Sequence, residues 1–123
     1  QTEEAQTASG MFYTPAYASP EQIRGDAPTV ASDLFSLGVL LYQLCTDRHP
    51  FVPERIDSAR QVLETVNAIL QREVDRGAMR AAGLPADLQA VLQKALEKAP
   101  ERRYGSVDAF AADVQAWLVG LPV

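Results

Sequence analysis

Histidine and cysteine are almost absent from this sequence of 123 residues, which contains one of each, His49 and Cys45. A single cysteine cannot form an internal disulfide, which is typical of a reducing compartment, so we expect a cytoplasmic location. A single histidine excludes a histidine-rich metal site, and we expect no metal ion in this chain. Arg48 and Pro50 flank His49, which favours packing in a loop or a surface position over catalysis. Cys45 lies in an apolar segment, which favours a structural thiol.

Patterns that bind phosphate or nucleic acid are also missing. The 7 glycines are scattered, and none falls in a G-x-G-x-x-G or G-x-x-x-x-G-K pattern. The formal net charge is −5, and no run is rich in lysine or arginine. This charge argues against a nucleic acid as the partner and against an anionic membrane surface. By themselves, the residues show no complete catalytic site.

The longest apolar segment is too short for a membrane span, which needs roughly 20 apolar residues. It runs from Leu34 to Cys45, and almost every residue in it is apolar. A surface helix has an apolar stripe with polar residues opposite, whereas this segment is apolar nearly all round. We therefore predict a central helix over Val30–Cys45 that is buried on several sides, with Thr29 and Ser32 both offering a capping oxygen.

Helical periodicity and capping signals predict four more helices, and no segment alternates with period two for long enough to be a strand. They are placed at about Pro20–Arg24, Ala59–Gln71, from Pro85 to Pro100 and from Ser106 to Gly120. Ser58 and Gln61 have the spacing of a reciprocal capping box. Residues 72–83 give no clear assignment. With 47% apolar residues, the chain is predicted to be a single mainly α domain of about five helices around a central buried helix.

Three charged residues are hard to explain as surface positions. Asp33 begins the apolar helix, Glu21 begins a short helix, and Arg103 lies in the loop before the last helix. A buried carboxylate needs a partner, because an unpaired one costs several kcal/mol or takes up a proton. Sequence spacing alone does not say which of these residues pair.

Four segments, taken together and in order, resemble a known family. They are TPAYASPEQIRG from Thr14, SDLFSLGVLLYQL from Ser32, HPF from His49 and LQKALEKAPERRYGSVDAFAADVQAWL from Leu92. The chain resembles the C-terminal part of a bacterial serine/threonine protein kinase domain of the eukaryotic type. The resemblance implies that residues 1–18 are the remainder of the activation segment and the substrate-docking loop. Residues 19–123 would be the helical part of the kinase large lobe, as a single partial domain.

The same resemblance implies roles for residues near the start of the chain. Thr7 and Ser9 are candidate phosphorylation sites, because phosphate–arginine pairing orders activation loops. Thr14, Pro15 and Tyr17 would form the loop that receives the substrate residue after the phosphorylated one. The Thr14 hydroxyl would bond the catalytic aspartate and mark a preference for serine and threonine.

Further along the chain, the resemblance explains the three charged residues. Ser19-Pro20-Glu21 resembles the Ala-Pro-Glu motif, which implies a structural ion pair between Glu21 and Arg103. Asp33 matches the aspartate that accepts hydrogen bonds from the catalytic-loop backbone, so it would be a catalytic-loop anchor. Asp47 stands where glycine is common, so we expect a stiffer or shifted turn after the central helix.

Several parts of a kinase are missing from this sequence, namely the glycine-rich loop, the strand lysine, the His-Arg-Asp catalytic loop and the Asp-Phe-Gly magnesium ligand. Phosphoryl transfer needs them to place the γ-phosphate and its metal ions. We therefore expect no cofactor in this chain, ATP and magnesium in the parent kinase, and no activity of the chain alone. The expected partners are protein substrates with serine or threonine and the missing N-terminal part of the kinase. Exposed apolar surface would also favour self-association.

The first residues, QTEEAQTASG, are polar and acidic and include no initiator methionine, so we interpret the chain as a piece of a longer protein and see no signal peptide. Members of the family often continue into a membrane span, which leaves open an anchor beyond Val123. Two alternatives also stay open. One is a pseudokinase or scaffold that uses the same lobe without catalysis, and the other is an unrelated helical interaction domain.

Overall fold

The computed structural model describes residues 16–121 and Val123, and these residues form α-helices and one 3₁₀ turn without a strand. The helices are α1 (Pro20–Ile23), α2 (Val30–Thr46), α3 (Ala59–Gln71), α4 (Arg76–Ala81), α5 (Ala86–Ala95) and α6 (Val107–Leu118), and Pro100–Arg102 is the 3₁₀ turn. The prediction of a mainly α fold around a central helix is confirmed. Helix α4 lies in the segment that gave no assignment.

Both ends of α2 follow from local chemistry. The Thr29 hydroxyl accepts a hydrogen bond from the Ser32 amide, and the Ser32 hydroxyl accepts one from the Thr29 amide. Both predicted capping oxygens are therefore used, in one reciprocal box. The helix ends at Asp47, whose φ of 61° and ψ of 23° lie in the left-handed region. Aspartate tolerates this conformation better than most residues, so the turn forms without the glycine common in the family.

The core is built on one side of α2. Leu34, Phe35 and Val39 are buried, and α2 packs against α5. A side-chain carbon at Gly38 would lie 2.9 Å from the Cβ atom of Ala95, so glycine allows the two helices to approach closely at this point.

Two details of the helix ends differ from the prediction. The Ser58 hydroxyl caps α3 by accepting from the Gln61 amide, but the Gln61 side chain accepts from the Asp57 amide rather than from Ser58. Helix α5 ends at Ala95 instead of running up to Pro100.

The other side of α2 is open to solvent in the structure, so the helix is not covered all round. The residues exposed there follow helical spacing and form one row, which we call the exposed stripe: Asp33, Leu37, Leu40 and Leu44. Leu44 is 84% exposed and Leu40 is 44% exposed. In the part of the chain that the structure describes, no helix is long and apolar enough to cross a membrane.

Candidate functional site

The residues singled out from the sequence divide into two groups. Four lie outside the described residues: Thr7, Ser9, Thr14 and Pro15. Four are described: Tyr17, Glu21, Asp33 and Arg103. The structure brings Glu21 and Arg103 together, places Tyr17 in a loop beside α2, and leaves Asp33 exposed at the start of α2.

Glu21 and Arg103 form a buried, two-pronged ion pair. The Arg103 Nη1 and Nη2 atoms donate to the two carboxylate oxygens of Glu21 at 2.7 and 2.9 Å, across 82 positions of sequence. The Arg103 side chain is 0% exposed and that of Glu21 is 10% exposed. Paired hydrogen bonds of this geometry are the strong form of an arginine–carboxylate contact.

The other donors of Arg103 are used as well. Its Nε atom donates to the Glu97 carbonyl at 2.7 Å, Nη1 also donates to Ala31 at 2.9 Å, and Nη2 to Lys98 at 3.1 Å. All five N–H groups of the guanidinium therefore have partners. The carbonyls of Glu97 and Lys98, in the segment that follows α5, therefore face Arg103.

The charge state of Glu21 follows from these contacts. Burial opposes ionisation of the carboxyl group, but the hydrogen bond and charge of Arg103, together with hydrogen bonds from the Glu21 backbone and the Ser19 side chain, outweigh it and leave the pKa of Glu21 below its usual 4.5. Glu21 is therefore ionised at neutral pH, and the pair ties α1 to the start of α2 and to the segment after α5.

Lys98 lies next to this ion pair, over the face of an aromatic ring. Its Nζ atom is 3.8 Å from the centre of the Phe51 ring and 3.4 Å from the Ala68 carbonyl oxygen. Burial lowers the pKa of Lys98, and the nearby Arg103 and Arg72 charges lower it further. The Glu73 carboxylate acts in the opposite direction, and the net result is a pKa of about 8.

We expect the folded chain to gain stability as the pH rises from about 8 to 10.5, because Lys98 then loses its proton in the folded state before the unfolded state does. The unfolded chain binds more protons in this window, so the free energy of unfolding rises with pH. Solvent screening at this half-buried site limits the gain to about 1 kcal/mol. Urea unfolding at several pH values measures it against Lys98→Met, which should lack the gain.

The exposed Lys94 provides the matched control, because its Nζ atom also lies over a ring, that of Tyr104, at 4.7 Å. Lys94→Met should keep the rise of stability with pH. An equal rise in Lys98→Met and in the unchanged chain would contradict the assignment to Lys98.

The Ala16–Tyr17 loop is tied to α2 at two points. The Ser36 hydroxyl donates to the Tyr17 carbonyl, and the Tyr17 hydroxyl donates to the Gln43 side-chain oxygen at 2.8 Å. Tyr17 is 43% exposed, so its ring remains accessible although its carbonyl and hydroxyl groups are both hydrogen-bonded to α2. Sequence reasoning did not identify Ser36 or Gln43, because nothing near either residue in sequence indicates the loop that it contacts.

His49 is the third attachment of this loop. The imidazole Nε2 atom is hydrogen-bonded to the Ala16 carbonyl, and Nδ1 accepts from the amides of Phe51 and Val52 at 2.9 and 3.0 Å. The sequence predicted that His49 packs in its own loop or lies at the surface. In the structure His49 also connects two loops that are 33 positions apart.

A cavity of about 810 Å³ lies beside His49, between the loop after α2 and helix α3. Side chains of both charge signs line it, with Asp47 and Glu64 among the acids and Arg48 and Arg72 among the bases. A polar, open cavity of this kind can contact a polypeptide that itself carries mixed charges.

Comparison with known protein families matches residues 1–115 to the protein kinase domain. The chain belongs to the protein kinase family. This match confirms the resemblance that four sequence segments indicated, and it covers most of the helical fold described above.

Individual kinases show the same relationship. Serine/threonine-protein kinase PknL of Mycobacterium tuberculosis is 34% identical over 111 residues, which are 89% of this chain and 26% of that protein. Serine/threonine-protein kinase PknD of Chlamydia abortus is 31% identical over 112 residues, 89% of this chain and 11% of that protein. Tyrosine-protein kinase MasK of Myxococcus xanthus is 37% identical over 102 residues, 83% of this chain and 15% of that protein. The chain therefore spans about a quarter or less of the length of these kinases.

Kinases use ATP with magnesium, so we tested whether the described side chains could hold the metal. Within residues 16–121, no three histidine, cysteine, aspartate or glutamate side chains lie close enough together to hold a metal ion by themselves. We assign the described residues no step that passes through the nucleotide or its metal.

Proposed function

We propose that this chain is a section of the large lobe of a protein serine/threonine kinase. In this proposal it docks protein substrates and supports the catalytic segment, and it does not transfer phosphate by itself. Family membership supports the kinase fold, and the names of the PknL and PknD relatives support transfer to serine and threonine. The parent protein would use ATP and magnesium, bound by motifs that this sequence lacks.

The exposed stripe on α2 carries the proposal. Leu37, Leu40 and Leu44 form an apolar row on the central helix, where a complete domain would bury them. The Asp33 carboxylate heads this row and has no hydrogen-bond or salt-bridge partner among the described residues. A catalytic segment packed on the stripe would bury the leucines and offer backbone N–H groups to Asp33.

The docking role is supported by the Ala16–Tyr17 loop. Hydrogen bonds to Ser36, Gln43 and His49 hold the loop in one position against α2, beside the open cavity lined by side chains of both charge signs. A substrate polypeptide could lie along the loop and extend over the cavity. The partner in this proposal is a protein that presents serine or threonine.

Phosphotransfer assays on two proteins test the proposal, namely this chain alone and the full-length product of its gene. With ATP and magnesium, we expect the full-length protein to phosphorylate a protein substrate on serine or threonine and the chain alone to incorporate no phosphate. Phosphoamino acid analysis identifies the acceptor, which matters because one relative is named a tyrosine kinase. Phosphotyrosine alone, or no transfer by the full-length protein, would contradict the proposal, and the second result would favour a pseudokinase.

Sedimentation of the chain alone tests the scaffold role separately. We expect self-association through the exposed stripe, and we expect the double change Leu40→Lys and Leu44→Lys to disperse it. A stable monomer that binds no apolar dye would show that the stripe does not need a covering partner.

A further inference from the structure

The hydrogen bonds of His49 determine where its proton lies. Nδ1 accepts from two backbone amides, those of Phe51 and Val52, so this nitrogen must present its lone pair. A neutral imidazole then carries its proton on Nε2. That atom faces the Ala16 carbonyl, to which only a protonated nitrogen can donate. The turn after His49 therefore selects the tautomer that can hold the Ala16–Tyr17 loop.

The surroundings of the imidazole keep it neutral and in place. Burial lowers the pKa of His49, and the hydrogen bond to the Ala16 carbonyl opposes that shift only in part. The rings of Tyr17 and Phe51 flank the imidazole, with centroids 6.0 and 6.3 Å away. The charged residues that share its cavity are of both signs: Asp47, Arg48, Glu54, Glu64 and Arg72.

We propose that His49 is a positioning residue for substrate docking, which fixes the Ala16–Tyr17 backbone through its Nε2–H group. The inference rests on the proposed function, because the loop matters as a docking site only in a kinase. His49 does not touch the reacting groups in this proposal. It acts through Ala16, to whose carbonyl it donates a hydrogen bond. Together with the hydrogen bond from Ser36 to the Tyr17 carbonyl, this contact sets the position of the loop relative to α2.

Nitrogen NMR of the uniformly ¹⁵N-labelled chain tests the tautomer first. His49 is the only histidine, so its two ring nitrogens give the only imidazole signals. At pH 7.5 we expect Nδ1 to have the shift of an unprotonated nitrogen and Nε2 that of an N–H group. A proton on Nδ1, in either the other neutral tautomer or a cation, would overturn the proposal.

Two substitutions separate the two ring nitrogens. The oxygen of His49→Asn falls near the place of Nδ1 and can still accept from the turn, but its side chain is too short to reach Ala16. The amide group of His49→Gln falls near the place of Nε2 and can still donate to Ala16, but it leaves the turn amides without an acceptor. Asn therefore keeps the turn and loses the loop contact, and Gln does the opposite.

In the full-length protein, we expect His49→Asn to raise KM for a protein substrate about 3- to 10-fold, which corresponds to one lost hydrogen bond. His49→Gln should keep that KM within about twofold and cause the larger fall in melting temperature. KM for ATP should not change in either variant. If KM for the protein substrate and melting temperature change together in both variants, His49 is only structural and the proposal fails.

A measurement on the chain alone distinguishes this inference from the proposed function. We expect the ¹³C signal of the Ala16 carbonyl to shift in His49→Asn and to stay near its original position in His49→Gln. If these signals behave as expected while the full-length protein transfers no phosphate, the kinase proposal fails and the loop contact stands. If they do not, the positioning role fails whatever the activity.

Discussion

Arg103→Met is expected to lower the free energy of unfolding by about 3–5 kcal/mol, which makes it one of the two most damaging changes that we predict. The change leaves the Glu21 carboxylate buried without its partner. It also removes the donors to the carbonyls of Ala31, Glu97 and Lys98. Equilibrium unfolding in urea, followed by circular dichroism, measures the loss.

An exposed pair in the same chain provides the matched control. Arg60 and Glu64 lie one helical turn apart on α3 with Nε 3.4 Å from the carboxylate oxygen, and both side chains are mostly exposed. Arg60→Met should change the free energy of unfolding by less than about 0.5 kcal/mol. Comparable losses from the two changes would show that the interior pair does not carry the stability assigned to it.

Acid should gradually remove the stabilisation that the Glu21–Arg103 ion pair provides. Because the pKa of Glu21 is lower in the folded state than its usual 4.5, the stabilisation is fully present above that pH and is lost as the pH falls through the folded value. The stability difference between the unchanged chain and Glu21→Gln should therefore shrink below about pH 4.5. A difference that stays constant down to acid unfolding would mean that Glu21 is not the titrating group.

The sequence predicted the central helix well because an uninterrupted apolar run and a capping pair are local signals. It did not predict which side of α2 is open, because burial depends on what packs there. Asp33 shows the difference. Its place at the start of an apolar helix indicated a special role, but spacing named no partner, and only the family resemblance proposed one.

Helix α4 and the contact of His49 with Ala16 were not predicted, for a different reason. Arg76–Ala81 is too short to show apolar periodicity, and Met79 is the only one of its residues that is buried. Its cap, the Asp75 carboxylate, is a common surface residue and gave no distinctive signal. His49 contacts Ala16 across 33 positions of sequence, so its neighbours Arg48 and Pro50 contain no sign of the contact.

Phe35→Ala is expected to lower the free energy of unfolding by about 3–5 kcal/mol, the usual range for truncating a buried phenylalanine. The Phe35 side chain is 0% exposed, and its ring stacks on Phe51 with centroids 6.2 Å apart. The Arg103 guanidinium carbon lies 5.0 Å from the centre of the ring. The void left by Phe35→Ala would therefore also remove the ring that packs against Arg103 of the buried ion pair. Phe35→Leu leaves a smaller void and should lose less, so the effect remains measurable if Phe35→Ala does not fold.

The exposed stripe supplies the control and makes the prediction specific to this fold. Leu44 lies on the same helix as Phe35 but is 84% exposed in the single chain, so Leu44→Ala should change the stability of the monomeric chain by less than about 0.5 kcal/mol. If the catalytic segment of a longer protein covers the stripe, the same change should cost about 2–5 kcal/mol there, because Leu44 is then a core residue. A Leu44→Ala effect that is small in both proteins would leave Phe35 as a core residue and reject the stripe as the surface that the catalytic segment covers.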